Sequence, residues 1–223
     1  MSSSSLFPGR EFDAFLFDMD GTILTSVLAA ERVWSRWAER HGLDPEPLLA
    51  NLHGVRMVDT IARQNLPNVD IQAEARWITD RELEDIHGVV PVPGAEQFLA
   101  SLPPDRWAIV TSAPHELALR RLSVTGLPMP RVLVTAESIK HGKPQPDCFL
   151  LGAEKLGFEA RNCVVFEDAP AGIKAGEAAS AAVVVITHTH SQPRELGHPA
   201  IADYTDVSAR TTADGRLEII SVA

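Results

Sequence analysis

Cysteine is scarce in this chain of 223 residues: Cys148 and Cys163 are the full complement. Their spacing suits neither a metal site nor a disulfide framework, so they read as packed or surface thiols in a reducing compartment. Long hydrophobic runs are missing too. The longest, Ala181 to Ile186, falls far short of the roughly 20 residues that a membrane helix needs. Positive charge is in the minority, with 20 Lys and Arg against 30 Asp and Glu and a net charge of −10. That balance argues against nucleic acid, which calls for a basic stripe. An anionic substrate would require local positive charge or a metal to override the global field. The opening "MSSSSLFPGR" has no basic n-region and no apolar h-region, so it is expected to be a flexible leader, not a signal peptide. There are no internal repeats, and the serine leader is the one low-complexity piece. A cytoplasmic protein is expected, and nothing demands more than a monomer.

What is present is ordinary for a soluble globular chain, with 45% hydrophobic residues. A chain of this length buries roughly 70% of its unfolded surface, as one large domain or as a core carrying a smaller inserted one. Short apolar runs read as strands at Ala14–Phe17, Ala108–Val110, Val132–Val134, Val164–Phe166 and Ala182–Ile186. Between them lie helical patterns: Ala95, Phe98, Leu99 and Leu102 follow the i, i+3, i+4, i+7 rule, and Phe149, Ala153 and Leu156 continue it. Pro170 suits a first helical turn. This alternation predicts an α/β fold with a mostly parallel sheet. From about Val27 to Val90 the alternation stops, and Val27, Ala30, Trp34, Trp37 and His41 recur at near-helical spacing. This predicts a helical insertion after the first strand. Asp214-Gly215, flanked by strand-prone residues, predicts a hairpin near the end.

In open α/β sheets ligands gather beyond the carboxyl ends of the strands. After the first strand come Asp18 and Asp20, which project to the same side if the strand continues. After "WAIV" come Thr111 and Ser112; after the Val132 strand, the turn Gly142-Lys143-Pro144; after "NCVVF", Glu167 and Asp168. Carboxylates concentrated in one cleft call for a hard cation, most economically Mg²⁺. A lysine and hydroxyl donors suit the oxygens of a phosphoryl group. An aspartate can attack phosphorus, and a second carboxyl can handle the protons. Taken singly, each set reads as a turn or a helix cap; four in order at four strand ends do not.

"FDMDGT", "IVTSA", "GKPQPD" and "VVFEDAPAGIKAG" resemble the four ordered motifs of the haloacid dehalogenase superfamily, over about Phe12 to Ile186. Asp20 favours the phosphatase and phosphomutase members. Several further stretches, "LHGVRMVDTIA" among them, are similar to sugar-phosphate phosphatases of the 2-deoxyglucose-6-phosphatase and glycerol phosphatase type. The resemblance implies a Rossmann-like core with helices on both faces, made of residues 1–25 and 92–223, and a helical cap at 26–91. It implies Asp18 as nucleophile and Mg²⁺ ligand, and Asp20 as general acid/base with its carbonyl on the metal. Thr111, Ser112 and Lys143 would hold phosphate, and Asp168 and Glu167 would complete the metal site, Glu167 directly or through water. Two positions depart from the family pattern: Thr25-Ser26 replaces Asp-Ser near the hinge, and Ser180 replaces a glycine.

The expectation is a Mg²⁺-dependent phosphatase of a small sugar or polyol phosphate. Its rivals are a phosphomutase of the β-phosphoglucomutase type and a non-catalytic sugar-phosphate sensor. The mutase histidine would fall at Ala30 in this chain. Selectivity is expected from the cap segment Asn51 to Asp59, with His53, Gly54 and Arg56 meeting the leaving group; the alternative pairs Arg56 with Asp59. His188 and His190 read as a polar loop, and Trp34 and Trp37 as packing within the insertion.

Overall fold

The computed structural model describes residues 3–189 and 197–222. Strands β1 (Ser3–Ser5), β2 (Ala14–Phe17) and β3 (Leu24–Thr25) precede helices α1 (Val27–Arg40), α2 (Pro45–Leu49), α3 (Met57–Arg63) and α4 (Ile71–Glu84). An alternating run follows: β4 (Val90–Pro91), α5 (Ala95–Ser101), β5 (Trp107–Val110), α6 (His115–Thr125), β6 (Val132–Val134) and α7 (Asp147–Leu156). It continues with β7 (Cys163–Glu167), α8 (Pro170–Ala178) and β8 (Ala182–Ile186). The last strands are β9 (Ala200–Ile201), β10 (Val207–Thr211) and β11 (Leu217–Val222).

A parallel sheet is covered on both faces, so its strands are apolar throughout and alternate side chains feed two cores. The six-stranded sheet, in the order β6-β5-β2-β7-β8-β9, does this with every neighbouring pair parallel. Phe15, Phe17, Ile109, Phe166 and Val184 face one core, closed by Phe98 of α5 and Leu117 and Leu122 of α6. Leu16, Val110, Val165 and Val183 face the other, closed by Phe149 of α7 and Ile173 of α8. Phe17 stacks on Phe166 at 4.5 Å between ring centroids, which fixes two neighbouring strand ends against each other. Both cysteines are free and buried, Cys148 in α7 and Cys163 at the head of β7, as packing thiols. Burial pushes their pKa values up, to about 11 and about 12.

The inserted helices have their own core, in which Val33, Trp34 and Trp37 of α1 meet Leu48, Met57, Ile61 and Ile78. They leave and rejoin the sheet through a short antiparallel ribbon of β3 and β4. Both strands of this ribbon lay below the sequence signal, since two residues are too few for periodicity to register. The hairpin at Asp214-Gly215 connects antiparallel β10 and β11, and Gly215 supplies the left-handed turn conformation at φ +82°.

The serine run expected as a flexible leader is instead β1, paired antiparallel with β11. Ladder bonds use backbone groups, so an edge strand needs no apolar side chains where a partner is available. Ser180 adopts φ +61°, the left-handed geometry that glycine takes without steric cost. His188 is exposed, and His190 lies outside the described residues. No helix among the described residues is long and apolar enough to cross a membrane.

Candidate active site

The central strands deliver the site. The Asp18 amide donates to the Phe166 carbonyl at 3.0 Å, so Asp18 continues the β2–β7 pairing one step beyond the end of β2. Glu167 is the last residue of β7, and Asp168 follows it. Thr111 and Ser112 follow β5, and Lys143 comes in from the loop between β6 and α7. Carboxylate oxygens of Asp18, Glu167 and Asp168 lie within 4.8 Å of one another, and all three residues are buried.

Buried charges persist only when they are paired and hydrogen-bonded. Lys143 meets that demand: its Nζ donates to Asp18 Oδ1 at 2.5 Å and to Glu167 Oε1 at 2.8 Å. Burial works against the lysine's charge, but Asp18 and Glu167 outweigh it and raise its pKa above the ordinary value. For Asp18 burial dominates, opposed by Lys143, and its pKa is pushed up to about 7. Asp168 is also raised, chiefly by burial and then by the Glu167 charge.

Room for these carboxylates comes from missing side chains. A Cβ on Gly172 would lie 1.5 Å from Glu167 Oε1, and one on Gly21, at φ +92°, would lie 2.1 Å from Asp168 Oδ2. Glu167 Oε2 accepts the Ala169 amide at 2.7 Å, while the hydroxyls of Thr22 and Thr189 each donate to Asp168 at 3.3 Å. The sequence assigned neither threonine a role, although Thr22 closes the "FDMDGT" motif.

Asp20 has different surroundings from Asp18. β2 ends at Phe17, so the two aspartates are not held in one extended strand. The Asp20 carboxylate accepts the Ser26 hydroxyl at 2.6 Å and pairs with Arg121 Nη1 at 2.9 Å. Arg121 Nη2 in turn reaches Glu82 of α4 at 3.3 Å. Sequence reasoning missed both Arg121 and Glu82, although a signal was present. Arg121 shares its helical face with Leu117, Ala118 and Leu122, and Glu82 shares one with Ile78 and Thr79. A charge on a buried stripe needs a partner.

A cavity between core and insertion is lined by Asp18, Asp20, Thr111 and Ser112 below, and by Trp34, His53, Gly54 and Glu82 above. Trp34 therefore serves the helical core and the cavity together. Burial lowers the pKa of His53, against the opposing charges of Glu31 and Asp20. The Ser112 hydroxyl donates to the Gly54 carbonyl at 3.1 Å, joining core to insertion. Arg56 does not line the cavity. Its guanidinium binds Asp59 through two hydrogen bonds of 2.8 and 3.0 Å, and its Nη1 donates to the Lys140 carbonyl at 3.1 Å. The structure thus places Arg56 across the seam, with the Asp59 pairing that was the alternative expectation.

An acidic cluster at the carboxyl end of a central parallel strand, with a buried lysine on it and inserted helices beside it, is the arrangement of a class of phosphoryl-transfer and related hydrolases. The comparison with known proteins agrees. The haloacid dehalogenase-like hydrolase family matches residues 12–180, and the chain belongs to that family. It is 44% identical over 187 residues to hexitol phosphatase A of Escherichia coli, covering 81% of this chain and 85% of that one. It is 33% identical to 2-deoxyglucose-6-phosphate phosphatase 2 of Saccharomyces cerevisiae, covering 88% of each. In fold it is similar to CbbY from Rhodobacter sphaeroides solved with phosphate, at a TM-score of 0.74 and 19% identity, covering 87% of this chain and 96% of that one.

Proposed function

We propose that this chain is a Mg²⁺-dependent phosphatase of small sugar or polyol phosphates, working through an aspartyl phosphate on Asp18. The observation that carries the reading is the buried trio of Asp18, Lys143 and Glu167 beside Asp168. Asp18 stands at the strand end with a cation on one oxygen, where an incoming phosphoryl group would find both nucleophile and counter-charge. The relatives named above, phosphatases of a hexitol and of 2-deoxyglucose 6-phosphate, support the substrate class.

The donor set is all oxygen, which fits a hard divalent cation. Asp18 and Asp168 would hold it with the Asp20 carbonyl. Glu167 commits Oε1 to Lys143 and Oε2 to the Ala169 amide, which favours its acting by fixing the lysine or through water. Bound there, Mg²⁺ supplies charge stabilisation for the transferring group and keeps Asp18 ionised.

Asp18 then attacks phosphorus as Asp20 donates its proton to the departing alkoxide oxygen. Asp20, now ionised, takes a proton from water, which attacks the acyl phosphate and releases inorganic phosphate. Lys143, the Thr111 hydroxyl and the Ser112 amide would hold the phosphoryl oxygens. The helices at 26–91 would act as a cap, excluding bulk water through the contacts that Ser112, Arg56 and Arg121 make across the seam.

The test is phosphate release from a panel of sugar, polyol and aryl phosphates with Mg²⁺, for wild type and Asp18→Asn. Wild type is expected to turn over and Asp18→Asn to be silent while folded. Undiminished release by Asp18→Asn would overturn the covalent route.

A further inference from the structure

Among the described residues that line the cavity, Arg121 is the one lysine or arginine, and it is already paired twice. Arg121, from core helix α6, is 6% exposed, and Glu82, from cap helix α4, is 5% exposed. Their ion pair at 3.3 Å joins the two halves of the molecule over the place where a leaving group would sit, and Asp20 takes the other guanidinium nitrogen at 2.9 Å. Ala30, Trp34, Leu52, Met57 and Leu117 add an apolar stretch of wall, and the Ser26 hydroxyl beside it is given to Asp20.

We propose that Glu82 is a specificity-determining residue which sets the charge of the leaving group, admitting uncharged polyhydroxy alcohols and rejecting anionic ones. The inference rests on the phosphatase reading above and deepens it. A second anionic group on the substrate, carboxylate or phosphate, would enter a cavity that presents the buried Glu82 carboxylate. Among the described residues the guanidinium there is that of Arg121, held by Asp20 and Glu82. Like charges brought into contact repel, which selects against the wrong partner. A hydroxyl-rich leaving group meets the opposite situation. An ionised carboxylate offers about four acceptor sites, so Glu82 can accept substrate hydroxyls while it keeps Arg121. The same arrangement disfavours a mutase, whose bisphosphate would need a cationic seat for its second phosphoryl group in this part of the cavity.

The experiment compares kcat/KM for glycerol and hexitol phosphates, for phosphoglycerate and a hexose bisphosphate, and for 4-nitrophenyl phosphate, in wild type and Glu82→Gln. Wild type is expected to prefer the uncharged alcohols over the anionic ones by about a hundredfold or more, and Glu82→Gln to shrink that preference at least about tenfold. The shrinkage is expected to combine a rise on anionic esters with a fall on polyol esters. A uniform fall on all three kinds would assign Glu82 to cap closure alone and overturn the proposal. So would a wild type that shows no charge preference, a result that needs no variant to fold. Failure of the underlying phosphatase reading looks different: no phosphate is released from any ester, the aryl one included.

Discussion

Lys143 Nζ and Asp18 Oδ1 stand 2.5 Å apart, with the lysine side chain 1% exposed and the aspartate side chain 5% exposed. Whatever its part in turnover, the pair is a structural commitment. Removing one member of a buried ion pair leaves the other charge unsatisfied, which typically costs about 3–5 kcal/mol. Lys143→Met is expected near the lower end of that range, because Asp18 can neutralise itself by taking a proton. Turnover should fall by at least about a hundredfold, the usual loss for one donor to a developing oxyanion. Chemical denaturation and a phosphate-release assay check the two halves. A variant of wild-type stability would show that the pair is not held in solution as it is here.

A metal held by these carboxylates would couple to pH. The folded pKa of Asp18, about 7, exceeds its ordinary value of 3.8, and burial is the main cause. As pH rises between those values the unfolded chain gives up this proton first, so the metal-free protein loses the stability that the group contributes at low pH. A divalent cation needs the ionised form and competes with the proton. The rise in Tm on adding Mg²⁺ is therefore expected to be larger at pH 8 than at pH 5.5, read by thermal melts against EDTA controls. Activity should vanish in EDTA, return with Mg²⁺ and be poorly supported by Ca²⁺, which takes more ligands and would let Asp18 bind through both oxygens. Equal Tm shifts at the two pH values would argue against Asp18 as a ligand.

Gly172 lies inside α8, where replacing glycine by alanine ordinarily gains about 1 kcal/mol of helix stability. Here the new Cβ would fall 1.5 Å from Glu167 Oε1, the oxygen that holds Lys143. Gly172→Ala is expected to reverse the usual sign, lowering Tm and cutting turnover as Glu167 is displaced. A stabilised, fully active variant would show that the carboxylate has other room.

Arg56 bridges the seam between the α3 start and the loop at Lys140. Its loss should loosen closure for every substrate. Arg56→Ala is expected to lower kcat/KM on sugar phosphates and on an aryl phosphate by similar factors. A loss confined to the sugar phosphates would return Arg56 to direct recognition, as the sequence had led us to expect.

The core's strands and their order of functional ends were legible because a parallel sheet writes itself as short apolar runs, each followed by a polar residue at its carboxyl end. Asp18, Thr111, Ser112, Lys143, Glu167 and Asp168 could all be named that way. β1 was illegible for the opposite reason: its stability comes from the backbone of β11, and three serines carry no pattern of burial.

Local sequence determined which residues each strand would present, since that depends on periodicity and on what terminates an element. It did not determine who would meet whom across the seam. Arg121 and Glu82 are separated by 39 positions in the chain; each helix's own pattern put its charge on an apolar face, but only folding turned the two faces toward one cavity. Only the tertiary structure decided that Arg56 would turn from the cavity to Asp59 and the Lys140 carbonyl, while Arg121 would turn into it. A long side chain's partner is chosen by the elements packed around it, and that packing brings together segments distant in the chain.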